Sequence, residues 1–297
     1  MNIKAWIQAF RLRTLPLAIA SILMGIIASY IHEVFTLSVS IWALITTLLL
    51  QILSNLANDY GDAIKGTDNH NRVGPERTVQ SGKISPMGMK YAIIIFSILS
   101  LISGLVLIWM SNIDFIKSIL FLFLGLTAII AAIKYTIGKK AYGYSGLGDF
   151  FVFVFFGIVA VTGSFYLNAS YLTWDILLPA VTVGFLSTAV LNLNNMRDIE
   201  NDKKSGKNTM VVRLGIKKAK LYHVFLINGA FFALLFFVSD NGLSWKAYLV
   251  FLLYPLFLMD LVKIDKEELP EKLDPFLKKT ALKTFFLVLV FGLLNML

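Results

Sequence analysis

The run Ile41-Trp-Ala-Leu-Ile-Thr-Thr-Leu-Leu-Leu-Gln-Ile-Leu-Ser-Asn55-Leu-Ala-Asn58-Asp59-Tyr-Gly-Asp62 decides how the chain is read. An apolar stretch long enough to cross a bilayer, for which about 20 mostly apolar residues are needed, ends on a cluster of amides and carboxylates. Similar apolar segments lie near 14–31, 36–57, 87–110, 115–135, 147–167, 175–196, 219–238, 243–262 and 277–296. The 297 residues are 57% hydrophobic and 15% charged, whereas a soluble domain carries roughly 25% charged residues. The expectation is an all-α integral membrane protein, a single domain over 1–297 with about nine transmembrane helices. Lys4, Arg11 and Arg13 ahead of the first apolar run resemble a signal peptide. No small-residue cleavage site closes that run, and it reads as a retained span.

Charge in the connecting segments tests this division. If nine helices alternate, 25 of the 27 Lys and Arg residues fall on one side, leaving only Lys117 and Lys246 on the other. Cytoplasmic loops carry the excess of Lys and Arg, so the N-terminus is expected in the cytoplasm and the protein in the plasma membrane. The net charge of +9 then belongs to a membrane-facing surface. Nucleic acid is not an expected partner, because no basic run is interleaved with exposed aromatics. Cysteine is absent, which removes disulfides, zinc fingers and thiol nucleophiles from the argument.

Two polar segments, about 58–86 and 197–218, follow the second and sixth helices, and a third cytosolic segment spans about 134–146. The first two begin alike, Asn55-Leu-Ala-Asn58-Asp59 against Asn192-Leu-Asn-Asn195-Met. The likeness suggests two pseudo-repeated four-helix halves plus a ninth helix. Asn58 and Asp62 are four apart, as are Asp198 and Asp202, so each pair shares a helix face. Oxygen ligands at helix ends, without clustered His, point to a hard cation such as Mg2+, which needs only one or two carboxylates and completes its shell with water and phosphate. The candidate ligands are Asn58, Asp59, Asp62, Asp68, Asn195, Asp198 and Asp202. A diphosphate held there needs cations: Arg72 and Arg77 follow the first cluster, Lys203, Lys204, Lys207 and Arg213 follow or overlap the second, and Lys139 and Lys140 lie in the third segment, with Lys203 and Lys139 the preferred candidates among the lysines. Each basic residue alone also reads as a topology signal facing anionic lipid. Asp114, Asp175 and Asp240, in the short outer loops, read as helix caps or Lys partners.

At these residues the chain resembles the UbiA superfamily of intramembrane aromatic prenyltransferases. Asn58-Asp59-Tyr-Gly-Asp62 matches its Asn-Asp-x-x-Asp motif, Asp198-Ile-Glu-Asn-Asp202 its Asp-x-x-x-Asp motif, and Tyr135-Thr-Ile-Gly-Lys139 its Tyr-x-x-x-Lys element. The blocks Arg11-Leu-Arg13-Thr-Leu-Pro16, Arg72-Val-Gly-Pro75, Tyr142-Gly-Tyr144-Ser-Gly-Leu-Gly-Asp149 and Asn194 to Thr209 are similar to the 1,4-dihydroxy-2-naphthoate polyprenyltransferases of menaquinone synthesis. The superfamily places a further Asp four residues after Asp62, where this chain has Gly66; Asp68 is the nearest substitute.

The resemblance implies Mg2+-dependent transfer of a polyprenyl chain from its diphosphate to the naphthoate, with decarboxylation to demethylmenaquinol. Tyr135 and Lys139 would serve the departing diphosphate and the allylic cation, and Asp149, Arg11 and Arg13 would orient acceptor or diphosphate. Membrane lipid would receive the isoprenoid tail. Three alternatives are carried: a family member with another acceptor such as 4-hydroxybenzoate, a CDP-alcohol phosphotransferase, and a transporter. The phosphotransferase signature is absent, and transporters place their polar site near the bilayer midplane, whereas these carboxylates lie at helix ends. Asp62→Ala or Asp198→Ala is expected to abolish turnover with membrane insertion intact, measured by prenylation assay and membrane fractionation.

Overall fold

The computed structural model describes residues 2–66, 76–138 and 141–296, and every regular element among them is helical. The long helices are α1 (Leu15–Ile31), α2 (Leu37–Ile64), α3 (Pro86–Met110), α4 (Phe115–Lys134), α5 (Gly148–Ala169), α6 (Trp174–Arg197), α7 (Ile216–Asp240), α8 (Trp245–Lys266) and α9 (Asp274–Met296). Among the described residues eight segments are long and apolar enough to cross a membrane: α2 to α8 and the stretch Ile3–Ile31 that contains α1. The expected ninth span, α9, forms a 23-residue helix, about 35 Å at 1.5 Å per residue. Lys278, Lys279 and Lys283 load its first half, and α9 is not among the eight.

A short helix, Ile3–Phe10, precedes α1 and buries Ala5 and Ala9 while Ile3 and Ile7 stay exposed. It breaks at Arg11, whose φ of 50° is left-handed, a conformation that costs a non-glycine residue roughly 1–2 kcal/mol. The break separates the short helix from α1 and sets Arg11 and Arg13 on the cavity described below.

The main core forms around α6. Ala180, Val183, Leu186 and Ala189 of α6 are fully buried and share a cluster with Met24 of α1, Val161 of α5, Leu226 of α7 and Phe291 of α9. Small side chains such as Ala180 and Ala189 let neighbouring backbones approach, the device by which helices pack where lipid supplies no hydrophobic drive. By contrast α4 has no buried residue; its apolar side chains face outward or into the cavity described below. Residues Phe153–Thr162 of α5 wind as a π-helix, a rare winding found frequently at functional sites.

Polar contacts at the two ends of the bundle match the alternation read from the loops. One end carries the carboxylate segments. At the other, His32 Nε2 sits 2.9 Å from Asp175 Oδ2, and Asn168 Oδ1 accepts from the Thr36 N–H at 2.8 Å. There Asp114 caps α4 by accepting from the Lys117 N–H at 3.0 Å, as expected, while Asp175 takes a histidine rather than a lysine.

The first Asn of each matched stretch is hydrogen-bonded, though to non-equivalent partners in the two halves. Asn55 Nδ2 donates to the Phe10 carbonyl and to Thr14 Oγ1, both at 2.9 Å, and Asn192 Nδ2 donates to the Ala219 carbonyl at 3.0 Å. The first Asn of each matched stretch therefore ties its helix to a neighbouring segment. An amide inside a bundle is stable only when bonded in this way.

Close approach of α2 to the end of α4 depends on Gly61. A Cβ there would lie 2.5 Å from Thr136 Oγ1 and 2.9 Å from the Thr136 backbone carbon. Thr136 itself donates to the Ala57 carbonyl at 3.0 Å. Gly61→Ala should therefore lower stability by about 1–3 kcal/mol, the usual cost of overpacking, seen as a lower melting temperature in detergent. Gly125→Ala, where nothing lies within 4 Å, should leave it unchanged.

Candidate active site

A cavity of about 460 Å³ runs from the carboxylate-bearing end into the apolar interior, within the size range of small-molecule sites. Arg11, Arg13, Asn58, Asp62, Arg77 and Lys207 line its mouth, and Leu107, Phe121, Gly125, Phe155 and Phe156 line its depth. The π-helical stretch of α5 supplies one wall, and α4 another.

The two aspartates of the first cluster do different work. Asp59 is buried and spends both oxygens on the loop beyond α2. Its Oδ2 accepts from the Thr78 N–H at 3.1 Å and Thr78 Oγ1 at 2.8 Å, and its Oδ1 accepts from the Val79 N–H at 3.2 Å. Asp59 does not line the cavity, while Asn58 and Asp62 do. Asp62 Oδ1 accepts from the Tyr144 hydroxyl at 2.8 Å, and its Oδ2 lies 3.8 Å from the Arg77 guanidinium. Asp59 thus anchors the loop that carries Arg77 to Asp62.

In the second cluster the backbone keeps its four-residue spacing through a bend. The Asp198 N–H donates to the Asn194 carbonyl at 3.1 Å, and the Asp202 N–H to the Asp198 carbonyl at 2.8 Å. Both oxygens of Asp198 are held by one edge of the Arg197 guanidinium, with Nε 2.8 Å from Oδ1 and Nη2 2.5 Å from Oδ2. Arg197 also donates to Asn194 Oδ1 at 2.9 Å and pairs with Asp274 at 2.5 Å, at the start of α9. Asp202 is 2% exposed, its Oδ1 lies 3.6 Å from Lys207 Nζ, and its Oδ2 has no hydrogen-bond partner. Burial raises the Asp202 carboxyl to about 6, with Lys207 opposing the shift and Asp198 and Asp62 adding to it.

Lys207 reaches this position because Gly206, with φ of 72°, reverses the chain after the short helix Ile199–Lys204. The Lys207 N–H returns to the Asp202 carbonyl at 2.8 Å. Tyr144 closes the circuit: its hydroxyl bonds Asp62, its carbonyl accepts from the Asn208 N–H at 3.0 Å, and Lys65 Nζ lies 3.9 Å from its ring centroid.

The remaining sequence candidates divide. Tyr135 lines the cavity, and burial pushes its hydroxyl up to about 12, so it stays protonated at neutral pH. Asp149 is buried with Oδ1 unbonded and does not line the cavity, whereas the nearby Phe151 and Val152 do. Lys203 is exposed and off the cavity; Lys207 holds the buried place beside Asp202. Asn195 is likewise buried away from the cavity, and Asn194 lines it. Asp68, Arg72 and Lys139 lie outside the described residues.

Sequence reasoning named Lys207 only as one of several cations beside the second cluster and gave no special place to Tyr144, Arg197 or Lys278, all of which the fold brings to this end of the cavity or its supports. The signal for Lys207 was Gly206 behind a helix-forming run; Arg197 and Asp274, 77 residues apart, had none. Among the described residues no three His, Cys, Asp or Glu side chains are grouped to hold a metal. Mg2+ needs no such cage when substrate phosphate completes its shell. Asp62 facing the cavity and the unbonded Oδ2 of Asp202 fit it.

Arg197 is 2% exposed between two carboxylates. Removing one partner of a buried pair leaves uncompensated charge and costs about 3–5 kcal/mol. Arg197→Met should therefore fold poorly, with a lower melting temperature and reduced membrane yield. Arg197→Lys should rescue it only in part, because an ammonium cannot make the two-sided contact.

Residues 18–290 match the UbiA prenyltransferase family. The chain is 42% identical over 294 residues to the 1,4-dihydroxy-2-naphthoate octaprenyltransferase of Haemophilus influenzae, covering 98% of this chain and 96% of that one. It is 45% identical over 278 residues to the Escherichia coli protein of the same name, covering 94% and 90%. Among solved structures, an apo UbiA homologue from Aeropyrum pernix K1 aligns with a TM-score of 0.69 at 16% identity, over 94% of this chain and 98% of that one. A UbiA homologue from Archaeoglobus fulgidus bound to DMAPP and Mg2+ aligns at 0.59 and 16%, over 96% and 99%. The structural likeness speaks for the fold, and the extended sequence matches carry further: this chain belongs to the UbiA prenyltransferase family.

Proposed function

We propose that the protein transfers a polyprenyl chain from its diphosphate to 1,4-dihydroxy-2-naphthoate. The observation that carries this reading is the cavity itself. One continuous space joins a mouth of carboxylates and cations to an apolar, aromatic interior, as a substrate with a charged head and a hydrocarbon tail requires. The names and extended similarity of the Haemophilus influenzae and Escherichia coli relatives support the acceptor.

In this reading Asp62, Asp202 and Asn58, with Asp198 steadied by Arg197, hold Mg2+, for which the Archaeoglobus fulgidus homologue bound to DMAPP and Mg2+ lends support. When bound, that ion neutralises charge on the departing diphosphate. Arg77 and Lys207 share the task at the mouth, joined by Arg11 and Arg13 across the cavity and by Arg72 and Lys139 in the adjoining segments. The C–O bond to the diphosphate breaks and leaves an allylic cation. Tyr135, Tyr142 and Phe155 line the cavity, and their ring faces stabilise that cation while the apolar wall keeps water away. The electron-rich ring then forms the new C–C bond, and its carboxylate leaves as carbon dioxide, so no proton need be removed from that carbon. Asp149, in the wall behind the lining, supports Tyr135 rather than touching substrate, and Asp59 keeps the Arg77 loop in place.

We place the mouth on the cytoplasmic face of the plasma membrane, because Lys and Arg concentrate in the segments around it. The test is prenyl transfer by detergent-solubilised protein with Mg2+, labelled polyprenyl diphosphates of several lengths, and either the naphthoate or 4-hydroxybenzoate. Labelled prenyl on the naphthalenediol ring, with carbon dioxide released, is expected. Prenylation of 4-hydroxybenzoate alone would overturn the acceptor assignment, and no transfer to either would overturn the reaction.

A further inference from the structure

Asp62, Asp198 and Asp202 bring three carboxylates to one end of the bundle, and their balance is uneven. Asp198 is held tightly by Arg197. Asp62 and Asp202 meet their cations loosely, Arg77 at 3.8 Å and Lys207 at 3.6 Å, beyond ordinary hydrogen-bond length. Lys207 is 9% exposed, so water does little to hold its charge, and an unpaired ammonium there would be costly. Its partners are the two clusters together. It lies against Asp202 directly and 5.6 Å from the ring centroid of Tyr144, whose hydroxyl bonds Asp62. The backbone fixes its base, through the Lys207 N–H on Asp202 and the Asn208 N–H on Tyr144. The side chain alone is left to move, and it lines the cavity.

We propose that Lys207 is a built-in counter-cation, which bridges the two carboxylate clusters and is displaced toward the diphosphate when a divalent cation takes the carboxylates. This rests on the reading of Asp62 and Asp202 as cation ligands given above. The argument is electrostatic. A divalent ion on Asp202 would stand within a few ångströms of the ammonium, where like charges repel strongly in a site shielded from water. An incoming diphosphate offers the ammonium a new partner on the cavity side. Lys207 thereby disfavours metal without donor and favours metal with donor. It also keeps the ends of α2 and α6 assembled, through Tyr144, before either arrives.

The experiment measures Mn2+ binding to the substrate-free, detergent-solubilised full chain by electron paramagnetic resonance. Lys207→Met is expected to bind Mn2+ at least about tenfold more tightly than the parent, because a nearby positive charge has gone. Its melting temperature in chelator should fall below the parent's and recover with Mn2+. Lys207→Arg, which keeps the charge, should bind Mn2+ much as the parent does. Should Lys207→Met not insert, Lys207→Gln carries the same measurement. Unchanged or weaker Mn2+ binding in a folded neutral variant would overturn the proposal, since a merely structural lysine gives that result. Absence of Mn2+ binding in parent and variants alike would instead sink the cation-ligand reading on which it rests, whatever the prenylation assay gives.

Discussion

Charge buried at the ends of α2 and α6 is the constraint that the rest of the molecule answers. A carboxylate removed from water must find a cation or hydrogen-bond donors, and each of the four aspartates here does so differently. Asp59 takes three donors from Thr78 and Val79, and both oxygens of Asp198 are held by one edge of the Arg197 guanidinium. Asp62 and Asp202 take looser partners; Asp62 lines the cavity, while Asp202 is buried behind Lys207, which does. The tight pairs are supports, and Asp62 and Asp202 lie farther from their cations. Long-range order follows from this division. Arg197 draws the start of α9 to the end of α6, and Tyr144 draws the segment before α5 onto the end of α2.

The apolar half of the site is made by the opposite means. On the buried face of α6, small side chains such as Ala180 and Ala189 allow tight contact. Toward α4 the packing loosens, and that helix contributes only partly covered or exposed side chains. The cavity lies on that looser side, walled by α3, α4 and the π-helical part of α5. The bundle is thus rigid where charge must be positioned and open where a flexible hydrocarbon is to be received.

Much of this was legible in the sequence. Apolar length gave the helices, basic residues gave their alternation, and the amide and carboxylate clusters marked the polar end of the bundle where the cavity opens. These are local properties, since whether a stretch prefers lipid or water depends on its own side chains. Even the four-residue spacing from Asn194 through Asp198 to Asp202 survives as continuous backbone bonding across a bend.

The assignment of individual side chains was not legible. Asp59 and Asp62 lie three apart on one helix and look alike on paper. Only the fold sends one to a loop and the other to the cavity. Lys203 and Lys207 are equally basic, and only the reversal at Gly206 buries the second. Asp149 sits in a motif beside cavity-lining residues and faces elsewhere. In each case the deciding factor is which distant segment packs against the side chain, and spacing along the chain carries no record of that. The sequence by itself determined a membrane-spanning bundle with an acidic, basic-rimmed end. The tertiary structure decided which acids are locked by partners and which stay available, because burial and pairing depend on neighbours brought from far along the chain.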